Sequence, residues 1–92
     1  MSRVLFLGSR QRAALDIYAL DPVWDEEPAA LAIRAGLAGS LTIEGDDAEM
    51  VAAFLNEQSD SADASFEQTG DREHWKDANA LAKLASRVLR NT

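Results

Sequence analysis

No cysteine occurs in the 92 residues, which excludes disulfides, zinc–thiolate sites, iron–sulfur clusters and cysteine nucleophiles together. Histidine appears once, as His74, so a histidine-based metal site would have to lean on carboxylates. Glycine is sparse at five residues, and neither a Walker pattern nor Gly-x-Gly-x-x-Gly is present. Long apolar runs are also missing. Val4–Leu7 is too short for the core of a signal peptide, and nothing approaches a membrane span.

Basic residues are the other scarcity: nine Lys and Arg stand against sixteen Asp and Glu, for a formal net charge of −7. Nonspecific nucleic-acid binding relies on a basic face, so this balance argues against nucleic acid as the partner. It favours a basic or mixed protein surface, toward which acidic charge speeds encounter. With no cysteine and no leader, the expected setting is cytoplasmic. The remaining composition, 47% hydrophobic and 27% charged, is that of an ordinary globular chain. Residues 1–92 are expected to form one domain, small enough that oligomerisation would be an easy source of added stability.

The acids are unevenly placed. Between Glu44 and Glu73 the only base is Arg72. Glu44, Asp46, Asp47, Glu49, Glu57, Asp60, Asp63 and Glu67 are therefore the candidate partner-binding residues, with a plain solvated face as the alternative. Beyond them Lys76, Lys83, Arg87 and Arg90 make the last segment basic.

Periodicity gives a clear final helix over Asp71–Arg90, with Trp75, Ala78, Leu81, Ala82, Ala85, Val88 and Leu89 in one apolar stripe. Asp71 can cap its start. A second helix spans Asp47–Gln58, where Asp46-x-x-Glu49 has the form of a capping box and Met50, Val51, Phe54 and Leu55 form the buried stripe. Between the two, residues 59–70 are rich in Ser and Asp and read as a loop pinned by Phe66.

Upstream, alternation of apolar and polar residues predicts strands at Ala30–Ala35 and Ser40–Glu44, with a helix over Ala29–Leu37 as the competing reading. The opening VLFLGSRQRAALDIYAL poses the main ambiguity. Strand, Gly8, Ser9 and arginines could make a phosphate loop, yet Gly8 stands alone and Arg10 and Arg12 would oppose a helix dipole. Period-two alternation from Arg12 favours a hairpin, strands Arg3–Leu7 and Arg12–Leu20 joined at Gly8–Gln11. Asp21-Pro22 closes the second strand. A helix there would return weight to the nucleotide reading.

The resulting expectation is an α+β fold: an antiparallel sheet of about four strands with two helices packed on one face, or the order βαββαα if the second element is helical. Its core would contain Leu5, Leu7, Leu15, Ile17, Leu31, Ile33, Leu41, Ile43, Val51, Phe54, Leu55, Trp75, Leu81, Ala82, Ala85 and Val88.

No constellation points to catalysis. His74 shares a helix face with Asp71 and Asp77, which could position a general base, but no nucleophile accompanies it. Asp25-Glu26-Glu27 would point in alternate directions on an extended segment, and Asp60-x-x-Asp63 lacks calcium-loop spacing, so no metal or cofactor is expected. Trp24 is read as core packing, with an exposed interface anchor as the alternative. The functional expectation is a small acidic, non-enzymatic protein that occupies a partner protein's surface, as an inhibitor of a nucleic-acid-binding protein would. The alternatives are a nucleic-acid binder using Lys83, Arg87 and Arg90 on phosphates, and a structural subunit of a larger assembly.

Overall fold

A computed structural model describes residues 2–90, with only the backbone described at Ser2 and Arg3. The chain runs β1 (Ser2–Leu5), α1 (Ser9–Tyr18), a 3₁₀ turn at Pro22–Trp24, α2 (Pro28–Gly36), β2 (Leu41–Glu44), a 3₁₀ turn at Gly45–Asp47, α3 (Ala48–Thr69) and α4 (Arg72–Arg90). The expected four-stranded sheet is absent from the described residues. β1 and β2 form a two-stranded antiparallel ribbon, with Arg3 opposite Ile43 and Leu5 opposite Leu41, and four helices supply the rest.

Two expected strands are helices. In Arg12–Leu20 the buried positions are Ala14, Leu15 and Ala19, with Gln11 and Tyr18 half-buried beside them, a helical spacing. The alternation of Ala13, Leu15 and Ile17 is coincidental, and Ile17 is 57% exposed. Gly8 is the N-cap, with its N–H donating to Gln11 Oε1 at 3.2 Å. The arginines that oppose the dipole find partners: Arg10 pairs with α4, while Arg12 pairs with Asp16 at 3.5 Å and donates to the Ala38 carbonyl at 3.0 Å.

Ala30–Ala35 likewise lies inside α2, which Pro28 starts at a first-turn position that needs no N–H. Ala29, Ala30 and Ile33 are buried and Leu31 is exposed, the pattern of the competing helix. Arg34 ties the preceding loop to α2 by pairing with Asp25 at 2.7 Å and donating to the Asp21 carbonyl at 2.8 Å.

The Ser/Asp-rich segment 59–70 is not a loop; α3 continues through it to Thr69. Its inward positions are small and polar. Gln58, Ser59 and Ala62 are buried, and Ser59 Oγ donates to the Ala78 carbonyl of α4 at 2.8 Å. Gly70, with φ +71°, ends the helix in the left-handed conformation and donates to the Phe66 carbonyl. No side-chain cap opens α3, so Asp46-x-x-Glu49 does not form the expected box; the 3₁₀ turn feeds the helix directly.

α3 and α4 form a tight antiparallel hairpin that is the main packing unit, with α1 against α4 and α2 against α3 and β2. Leu55, Leu81, Leu84, Val51 and Val88 are fully buried along it, each contributing about 1.5–3 kcal/mol of apolar burial. Trp24 packs edge-on to Phe54, ring centroids 5.2 Å apart, and so joins the core. Trp75, expected inside, is 49% exposed.

Candidate functional site

The continuous α3 changes what the acidic residues form. At 3.6 residues per turn, Glu49, Asp60, Asp63 and Glu67 lie within about 40° of one line along the helix, with Glu57 about a quarter-turn aside. All five are exposed, and none makes an ion pair among the described residues. The stripe is about 27 Å long at 1.5 Å per residue. The other candidates sit before it: Glu44 is exposed at the end of β2, Asp46 is exposed and Asp47 half-buried in the 3₁₀ turn. Glu44 and Asp47 line a cleft of about 290 Å³ between α2 and β2. The structure therefore brings four of the eight residues onto one ridge with Glu57 flanking it, and leaves three at its N-terminal end.

A second charged region, at the contact of α1 with α4, escapes sequence reasoning. Arg10 Nη1 donates to Glu73 Oε2 at 2.6 Å and to Asp77 Oδ1 at 3.3 Å. Asp77 is 4% exposed, so Arg10 supplies the compensating charge for a buried carboxylate. The hydrogen bond from Arg10 holds the Glu73 carboxyl below its usual range, and both acids keep Arg10 firmly protonated. Tyr18, pushed up by burial and then by the charge of Asp77, lies with its hydroxyl 3.4 Å from His74 Nδ1.

The His74–carboxylate pairing that the spacing allows is not what forms. Asp77 turns to Arg10, and Asp71 caps α4 by accepting from the Glu73 N–H at 3.0 Å. The only sequence signal for the Arg10 contact was an arginine in the first turn of a possible helix, which needs an acid from elsewhere.

Two adjoining grooves, about 370 and 490 Å³, run between α1 and α4 and share Gln11, Asn79 and Lys83. Arg10 and Lys76 line the first, and Arg87 and Arg90 the second. Arg87 donates to Gln11 Oε1 at 2.9 Å across the seam. Among the described residues no group of three or more His, Asp or Glu is arranged to hold a metal ion. No described helix is long and apolar enough to cross a membrane. The β1–Gly8–α1 junction, a strand leading into a helix, resembles a phosphate loop in order alone. Its first-turn arginines are directed to the α4 acids and to Ala38.

Comparison with protein-family models, with characterised proteins and with solved structures gave no match to any of them.

Proposed function

We propose that the chain is a non-enzymatic binding protein that occupies a basic protein surface through the acidic ridge of α3. One observation carries the reading: Glu49, Asp60, Asp63 and Glu67, flanked by Glu57, form a rigid line of exposed acids with no neutralising base among the described residues. Such a line attracts cationic surfaces over long range and raises association rates. Its length and one sign of charge suit a partner surface that otherwise holds phosphates, the surface an inhibitor of a nucleic-acid-binding protein would cover. A cytoplasmic setting belongs to the same proposal, supported by the cysteine-free composition.

The test is affinity capture from the native host with the wild-type chain and with Asp60→Lys/Asp63→Lys/Glu67→Lys. Glu26→Lys, exposed and off the ridge, serves as the charge control. A discrete stoichiometric partner retained by wild type and by Glu26→Lys, and lost by the triple variant, is the expected result. Equal retention by all three would remove the ridge from the function.

A further inference from the structure

The groove between α1 and α4 is the other large charged feature, and its chemistry is the reverse of the ridge. Arg72, Lys83, Arg87 and Arg90 lie within about 60° of one line along α4, with Lys76 on the same face. Arg72, Lys83 and Arg90 are exposed; Lys83 and Arg90 rim the groove, whose lining is apolar at Ala80, Ala82 and the half-exposed Trp75, and Arg72 lies just beyond it beside Trp75. A groove with a shallow apolar floor and a cationic rim fits a helix that presents small residues between acids.

α3 presents such a face, with Ala53 and Ala64 exposed among its acids. The two lines also agree in spacing. Set parallel, Glu49 meets Arg72, Asp60 meets Lys83, Asp63 falls one residue short of Arg87, and Glu67 meets Arg90. Within one copy Lys76 pairs with Glu73 of its own helix, and no acid of the ridge pairs with a base of α4 among the described residues, so both rows are open to a second molecule.

We infer that the α1–α4 groove docks the α3 ridge of a second copy of this chain. The inference rests on the reading of α3 as a docking face and names an occupant for it. The contact is between two different surfaces, so each copy carries one donor face and one acceptor face. The net charge of −7 repels copies at a distance, but at about 0.1 M salt that repulsion is screened beyond about 10 Å while contact pairs persist.

Sedimentation equilibrium of the full chain at about 0.1 and 0.5 M salt tests this. Wild type should associate at the lower salt, with the apparent dissociation constant rising about tenfold or more at the higher. Asp60→Lys/Asp63→Lys/Glu67→Lys and Lys83→Glu/Arg90→Glu should each be monomeric alone and should associate when mixed, because each then offers what the other lost. The second variant spares Arg87, which contacts Gln11, and circular dichroism checks that both fold. A wild type that stays monomeric, a reversal without effect, or a mixture that stays monomeric overturns the inference.

A thymidine dodecamer forms the remaining arm. If it binds wild type, is lost from Lys83→Glu/Arg90→Glu and leaves the chain monomeric, the groove is for nucleic acid and the inference also fails. Failure here, with loss of the captured partner in the α3 triple variant, would leave the proposed function standing.

Discussion

Gly36 ends α2 against β2 so closely that a Cβ built on it would lie 1.8 Å from the backbone oxygen of Thr42. Neither group can yield without moving α2 or the ribbon, because the oxygen belongs to the main chain and a Cβ is held rigidly by it. Gly36→Ala should therefore destabilise the protein by about 1–3 kcal/mol, although glycine-to-alanine in an open helix normally stabilises by up to about 1 kcal/mol. Gly39→Ala, with nothing within 4 Å, is the control and should leave the urea midpoint nearly unchanged. An unaltered midpoint for Gly36→Ala would show that the two elements are not in contact there. Close approach of this kind is invisible in the sequence, where Gly36 and Gly39 both fall in the connection between the expected strands Ala30–Ala35 and Ser40–Glu44. The Arg10–Asp77 pair is equally hidden: its members are far apart in the chain, and only folding of α1 against α4 joins them.

Among elements, legibility follows the size of the buried side chains. α4 was readable to within a residue because Leu81, Ala85 and Val88 repeat at helical spacing beside charged outward positions. The first half of α3 was readable for the same reason, through Val51, Phe54 and Leu55. Its second half turns Gln58, Ser59 and Ala62 inward, and a search for apolar periodicity passes over a seam of that kind. β2 emerged within one residue of expectation, whereas α1 and α2 carry enough alanine to satisfy two periods at once. The sequence does mark the true end of α3, at Gly70. Its φ of +71° costs an L-residue about 1–2 kcal/mol, so Gly70→Ala should lower stability by about that amount. A helix that really stopped at Gln58 would leave Gly70 in a loop and the substitution neutral, which denaturant titration distinguishes.

At the scale of the whole molecule, charge was the most legible property and its geometry the least. The acidic middle segment is plain in the sequence, but a loop over residues 59–70 would have scattered Asp60, Asp63 and Glu67. Only the uninterrupted α3 lines them up with Glu49. An unneutralised row of like charges opposes the compact state. Glu57→Gln/Asp60→Asn/Asp63→Asn should thus raise stability by about 0.5–2 kcal/mol at low salt, with the gain shrinking as salt is added. A gain independent of salt would mean that something other than repulsion had been relieved.

The two-residue link Gly70–Asp71 between α3 and α4 has a consequence in time. Closing that hairpin restrains almost no chain, whereas pairing Leu5 with Leu41 must hold the ends of residues 6–40 together. Closure entropy grows with the logarithm of loop length, which places the second event about 2.5 kcal/mol above the first before any contact repays it. The helical hairpin is thus the natural nucleus, and the ribbon is the last part to assemble and the first to open. A protease site in residues 6–40 would accordingly be cut in molecules whose α3–α4 hairpin is still intact.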